Sequence, residues 1–375
     1  MNEDKATRYN RLKRRISTIS LAWGIALLAA LLATGWAVAL RDLVEAWALR
    51  VTGWPQGAVV LALSSFLAFL AVIDQLVALP LSFYSGYILE HRYELSTQTI
   101  GHWLREQAKG AAVGAVLALA GCNLLYAALR AWPQTWWLAA GAGLSLITIL
   151  LANLAPVLLL PIFFRITPLA RDTLRARLIR LAERAGVHVV SAFEWHVSDR
   201  TKKANAALTG LGRTRRILVS DTLLSEYSDD EIEMVLAHEL GHHVHRDIWK
   251  GIAFETALAF SGFYLASRLL VAFAPAFHLR GPDDVAGLPL LLLGAGAVSL
   301  GLVPLANALS RFFERSADRY ALELGRNAAA FISAMRRLGS QNLAEEHPSR
   351  LTRILFYSHP PFAERIASAR RRLRG

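Results

Sequence analysis

The sequence predicts a mainly α-helical, polytopic membrane protein with a small α+β segment on one side of the bilayer. Three observations predict it. The 375-residue chain is 54% hydrophobic, with mean hydropathy +0.35, too apolar for an ordinary soluble domain of its charge. The apolar residues gather into six runs, each meeting the bilayer requirement of about 20 residues. One long polar block, residues 165–250, interrupts them with helix and strand signals of its own.

Residues 1–16 are polar and basic, ending in Lys13-Arg14-Arg15, and a first span runs from Ser17 to Leu40. No small-residue cleavage site follows that run, so it reads as a span and not a removable signal. A short connection holding Arg41, Glu45 and Trp54-Pro55 leads to a second span at 57–84, which carries Asp74. A mid-bilayer carboxylate costs about 2.5–3.5 kcal/mol on insertion scales, so Asp74 either lines a wet interior or is satisfied by a neighbouring helix. After a polar connection at 89–109, spans three and four occupy 110–130 and 134–164, broken by Trp132-Pro133. Trp132, Trp136 and Trp137 read as an interfacial aromatic belt. Cys122, the single cysteine, lies in the third run as a packing residue, which excludes an intramolecular disulfide and a cysteine metal site.

Within the polar block, Arg171–Arg184 reads as an amphipathic helix with Leu174, Leu178 and Leu181 on one face and Gly186 as its stop. Val187–Val197 reads as a strand, and Asn205–Leu211 with Arg216–Ser220 as a hairpin around Gly210 and Gly212. A capped helix closes the block. A fifth span covers 251–275, Pro282-Asp283-Asp284 marks a loop, and a sixth apolar run at 286–309 continues into an acidic helical extension. The basic tail ends in an amphipathic helix, Phe362 to Leu373. Four sections follow: a membrane part at 1–164, the polar block at 165–250, two further spans at 251–309 and a C-terminal segment at 310–375.

The formal net charge is +12, with arginine far outnumbering lysine. The basic residues sit in the head, the second connection, the polar block and the tail, whereas the first, third and fifth connections are poor in them. Six spans put all four basic segments on one side, which the positive-inside rule makes cytoplasmic. That distribution accounts for the charge without a nucleic-acid partner.

The closing helix of the block carries His238-Glu239-Leu240-Gly241-His242, a HExxH pattern. Residues four apart share a helix face, so His238 and His242 can grip one ion while Glu239 stands beside it as a general base. Ser228-Asp229-Asp230-Glu231 reads as a capping box, and its acidic first turn suits the positive end of the helix dipole. A second acidic cluster follows the sixth run: Glu314 and Asp318 are four apart on the next helix. Two histidines and Glu314 make a three-ligand zinc site with an open position, the arrangement of catalytic zinc. Asp318 is placed to accept from the second nitrogen of a ligating histidine. His243 and His245 lie off the His238/His242 face and read as supporting or solvent-facing groups. A transporter or scaffold with a structural metal site is the non-enzymatic alternative, resting on Asp74.

Along nearly its whole length the chain resembles the type I CAAX prenyl endopeptidases, integral-membrane zinc metalloproteases. The resemblance rests on Leu79–Tyr84, Leu89–Arg92, Ser96–Thr99, Asn205–Gly210, Ile217–Leu224, His238–His242, Ser310–Glu314 with Ala317-Asp318, and Tyr357–Pro361 with Glu364-Arg365. It implies a helical barrel around a water-filled chamber, the metal at its cytoplasmic-side end. It also implies His238, His242 and Glu314 as ligands of one Zn2+ and Glu239 as base. Asn205, Ala206 and Ala207 correspond to an edge strand on which the peptide substrate lies as an added strand. His359 and Arg365 match positions that approach the substrate carbonyl or the oxyanion. The chain has six runs where eukaryotic members have seven spans, and it lacks an acidic insert before the metal helix. Its short, arginine-rich character is that of a bacterial inner-membrane member; a eukaryotic one would sit in the endoplasmic reticulum or inner nuclear membrane. Prenylated substrates are not expected in bacteria, so quality-control cleavage of membrane proteins stands beside CAAX-type cleavage.

Overall fold

Six helices in the structure, a computed structural model that describes residues 4–210 and 214–374, are long and apolar enough to cross a membrane. They are α1 (Lys5–Ala33), α3 (Pro55–Phe83), α5 (Ile100–Ala131), α6 (Trp136–Leu158), α11 (Asp247–Phe273) and α12 (Leu288–Gly325). Between the first two lies α2 (Trp36–Thr52). A π-turn at Tyr84–Ile88 carries α3 on into α4 (Leu89–Arg92), and α7 (Leu160–Phe163) follows α6.

The first span ends seven residues earlier than its apolar run. Gly35 takes a left-handed conformation with φ +76°, which a residue without Cβ adopts at little cost. It breaks the run into α1 and α2, and the expected connection holding Arg41 and Glu45 is helical. Trp136 also departs from expectation. It is 1% exposed and meets Phe263 edge-on at 5.9 Å, so it belongs to the core between α6 and α11; Trp132, 56% exposed, is the one free to face an interface. Asp74 lines an apolar cavity of about 380 Å³ between α1, α3, α5 and α12. It makes no hydrogen bond or ion pair among the described residues, so no neighbouring helix satisfies it.

Ion pairs sort the connections onto two ends. At one end, Arg41 of α2 donates to Asp284 at 2.5 Å, Asp284 also accepts from Arg280 N and Ala286 N, and Tyr126 near the end of α5 donates to the Asp284 carbonyl. At the other end, Glu90 after α3 binds Lys13 of the head at 2.8 Å and Lys203 of the polar block at 3.0 Å, and Tyr9 donates to it. Asn10 donates to the Leu343 carbonyl of the tail. Head, second connection, polar block and tail therefore share a side, as the charge distribution requires.

The polar block folds as α8 (Asp172–Arg184), a four-stranded sheet, α9 (Asp221–Glu226) and α10 (Asp229–Val244). The strands β1 (Arg165–Pro168), β2 (Ala192–His196), β3 (Ala206–Thr209) and β4 (Arg216–Ser220) are ordered β1-β2-β4-β3. The expected strand from Val187 shortens to β2, because Gly186 at φ +70° turns the chain out of α8 first. β2 and β4 are parallel, and β3 pairs antiparallel with β4 through Ala206↔Val219 and Ala207↔Leu218. The hairpin tip, with Leu211 and Gly212, lies outside the described residues. Leu174, Leu178, Ile217, Val219, Ile232, Leu236 and Leu240 form one buried layer between sheet and helices. α13 (Ala328–Gln341), absent from the sequence reading, adds Phe331 and Met335 to it. α14 (Arg350–Phe356) and α15 (Phe362–Arg374) complete the chain.

Candidate metal centre

The expected capping box holds α10 in place. Ser228 Oγ accepts from Glu231 N, and Glu231 Oε2 accepts from Ser228 N at 2.8 Å. The far carboxylate oxygen of Glu231 accepts from Ser333 of α13 at 2.6 Å, so the cap also ties α13 to α10. One face of α10 packs against α12 at Gly241, where an added Cβ would stand 2.9 Å from Ala317 Cα. Only a glycine lets the two backbones come this near, and the approach brings the carboxylate of α12 to the histidines of α10.

His238 Nε2 and His242 Nε2 lie 3.2 Å apart. His238 Nε2 is 3.3 Å from Glu314 Oε2, and His242 Nε2 is 3.2 Å from Glu314 Oε1. A tetrahedron of donors bonded at about 2.0–2.1 Å has edges of about 3.3–3.4 Å, so these separations suit one small divalent cation. Glu314 is 5% exposed, and its Oε2 makes no hydrogen bond. A buried carboxylate oxygen with no donor fits an ion better than an apolar wall. His238, His242 and Glu314 also form the one cluster among the described residues that could hold a metal.

Each histidine has a carboxylate behind it. His238 Nδ1 lies 2.9 Å from Asp318 Oδ1, as the spacing on α12 predicted. His242 Nδ1 lies 3.0 Å from Asp247 Oδ2, a partner the sequence reading missed. Asp247 is 6% exposed, opens α11 after Arg246 in a left-handed turn (φ +56°) and pairs with Lys250 at 3.1 Å. Its only sequence signal is its position five residues after His242, at the start of the next apolar helix. His245 contacts Ser316 Oγ and packs on Tyr320, and burial together with Arg215 lowers the pKa of His243; neither joins the cluster.

Electrostatics follow from the crowding. Burial lowers the His238 pKa and Arg365 lowers it further, but the hydrogen bonds to Asp318 and Glu314 outweigh both and leave it raised, to about 9. Glu239 is half-buried beside the histidines and hydrogen-bonds to no described residue. Burial raises its pKa, the histidines pull it back, and Glu314 raises it again.

The remaining sequence candidates fall in three places. His359, with its side chain 62% exposed, reaches in from the solvent side to place Nε2 3.1 Å from Glu314 Oε1. Arg365 is 7% exposed and clamps Asp318, Nε to Oδ2 at 2.8 Å and Nη2 to Oδ1 at 2.5 Å, with Nη2 3.9 Å from Glu314 Oε2. That guanidinium is spent on Asp318 and does not project into open space. Asn205, Ala206 and Ala207 lie at the start of β3, which pairs on one side with β4 and packs by its flat face on α10. Its other edge carries no strand among the described residues.

Comparisons with known proteins show which proteins the chain is similar to. Residues 168–373 match the family model of peptidase family M48. Residues 2–165 match the CAAX prenyl protease N-terminal model, described as five membrane helices. An uncharacterized metalloprotease, YhfN, of Bacillus subtilis is 31% identical over 85% of this chain and 76% of its own. CAAX prenyl protease 1 of Saccharomyces cerevisiae is 29% identical over 81% of this chain and 71% of its own. The crystal structure of S. mikatae Ste24p superposes with a TM-score of 0.86 at 25% identity, covering 97% of this chain and 88% of that one.

Proposed function

We propose a residue-level mechanism for this chain, which belongs to peptidase family M48. The protein is an integral-membrane metalloendopeptidase of the CAAX prenyl protease type. On our reading His238, His242 and Glu314 hold a zinc ion. Two imidazoles and one carboxylate at tetrahedral spacing are zinc's preferred company. The observation that carries the reading is the set of three separations of 3.2–3.3 Å around a buried carboxylate oxygen that has no donor.

When bound, the metal polarises the scissile carbonyl and acidifies water. Glu239 takes a proton as water attacks the carbonyl carbon, then delivers it to the leaving amine as the C–N bond breaks. Asp318 and Asp247 accept from the Nδ1 hydrogens of His238 and His242, which leaves both Nε2 lone pairs for the ion. His359 enters from the solvent side and donates to the carbonyl oxygen as charge gathers there. Arg365 is a positioning residue that holds Asp318, and through it His238, in one orientation. The peptide adds to the free edge of β3 along Asn205, Ala206 and Ala207, with backbone bonds supplying affinity and tolerance of sequence.

The substrates we propose are membrane-associated or CAAX-type peptides, with no requirement for a prenyl group. The polar block faces the cytoplasm and the protein resides in a bacterial inner membrane, following the positive-inside rule. The test is turnover of matched farnesylated and unmodified peptides by the zinc-loaded chain in liposomes. Cleavage of both peptides is expected. Strict dependence on the farnesyl group would rule out general quality control and the bacterial substrate class, and no turnover of either sinks the mechanism.

A further inference from the structure

Asp74 has no part in the metal centre. It stands on α3 ten positions before Tyr84, where the apolar run of that span ends, so it lies about 15 Å inside the apolar layer. The residue is half-buried and, among the described residues, has neither hydrogen bond nor ion pair. Ionisable groups at such depth are costly, and those that persist pair with a neighbour or serve as the counter-ion of a ligand. With no neighbour to pair with, Asp74 is left the second role.

The cavity beside it has the size and lining of a small-molecule site. Its volume is about 380 Å³, within the range of about 300–1,000 Å³ that such sites occupy, mostly apolar with a few polar groups that fix orientation. Leu27, Leu67 and Leu292 wall it, and Gly24, Ala71 and Ala118 leave it open. At Gly24 an added Cβ would meet nothing within 4 Å. Among the described residues Asp74 supplies the one polar side chain of the lining. That composition decides between cations. A calcium or magnesium ion takes about six or more oxygens, and zinc takes several nitrogen, sulfur or oxygen ligands, which one carboxylate among leucines and alanines does not supply. A protonated amine needs a single carboxylate for its charge and apolar contact for the rest. The site is also remote from the catalytic one. Leu292 and Glu314 stand 22 positions apart on α12, about 33 Å along the helix.

We propose that this cavity binds a small amphiphilic amine, its ammonium against the Asp74 carboxylate and its apolar body between α1, α3, α5 and α12. The ammonium supplies the charge that the neighbouring helices do not. The apolar body gives the cavity walls the dispersion contacts that an open space denies them.

The test uses the full chain in phosphatidylcholine liposomes. Dansylcadaverine serves as the amine, and N-pentyl dansylamide, which keeps the body and lacks the ammonium, as its neutral counterpart. The saturable part of tryptophan-to-dansyl energy transfer reports binding. The parent chain should bind the amine about tenfold or more tightly than the neutral compound, as a charged hydrogen bond implies. Asp74→Asn should lose that preference. Gly24→Leu, whose side chain enters the open space, should lose saturable binding of the amine with Asp74 in place, and thermal unfolding shows whether each variant is folded. Absence of saturable transfer, equal affinity for the two compounds, or an undiminished preference in Asp74→Asn overturns the counter-ion. Undiminished binding in Gly24→Leu overturns the cavity as its place. Octylamine should displace the probe; displacement by an acetylated lysine-bearing peptide in its stead overturns the assignment to a free amine.

Discussion

Gly241 of α10 and Ala317 of α12 meet backbone to backbone: a Cβ on Gly241 would stand 2.9 Å from Ala317 Cα and 3.1 Å from its carbonyl oxygen. The obstacle is main chain, so no rotamer change relieves it. Gly241→Ala should wedge α12 away from α10, at the cost of about 1–3 kcal/mol typical of overpacking. Because Glu314 rides on α12, metal affinity should fall with stability. Metal titration beside thermal unfolding checks it, with Gly251→Ala, whose Cβ meets nothing within 4 Å, as the comparison.

Glu239→Gln should retain metal and lose cleavage. The amide keeps the volume of the side chain but cannot take a proton, and general-base catalysis is worth about 10²–10⁴-fold. Elemental analysis and peptide turnover on one preparation decide it; turnover at the parent rate would remove Glu239 from the mechanism.

Asp247→Asn and Asp318→Asn should each weaken metal binding by about 10–100-fold, the usual effect of removing a histidine's carboxylate partner. The two need not be equal. Asp318 is also clamped by Arg365, so its loss disturbs two neighbours, whereas Asp247 has Lys250 at the exposed edge. Metal release to a chelator, measured for both, separates them; unchanged release in Asp247→Asn would leave that residue as a helix start alone.

Ser228→Ala should destabilise α10 by about 1 kcal/mol, through loss of the cap. Its partner Glu231 gives the pH dependence. Burial raises the Glu231 carboxyl, but hydrogen bonds from Ser333 and Ser228 outweigh it and hold the pKa below its ordinary 4.5. A carboxylate lowered on folding stabilises above its unfolded value and loses that contribution as pH falls through the folded one. Glu231→Gln should therefore be less stable at neutral pH and show a flatter acid limb below pH 4.5 in thermal unfolding.

The parts of this molecule legible in the sequence are those fixed by local pattern. Apolar length gives the six membrane helices, Ser228 and Glu231 give the start of α10, and four-residue spacing gives both the histidine pair and Asp318. What escaped depends on partners far along the chain. Trp136 looks interfacial until Phe263 of α11 packs on it, and the clamp of Arg365 on Asp318, a residue of another helix, is not visible in the resemblance that picks Arg365 out. Asp247 lies at the start of an apolar run, where it reads as a boundary; its partner is set by the left-handed Arg246. Gly35 was a local signal overlooked, a glycine in an apolar run whose role as a break depends on its backbone sign.

α12 is one unbroken helix from Leu288 to Gly325, and Glu314 stands five positions after Leu309, the last of its apolar run. At 1.5 Å per residue the reactive centre stands about 7–8 Å beyond the hydrocarbon edge. An extended chain covers that height in roughly two or three residues. On the mechanism proposed above that height would act as a ruler, the scissile bond being picked out by its distance from whatever holds the substrate in lipid.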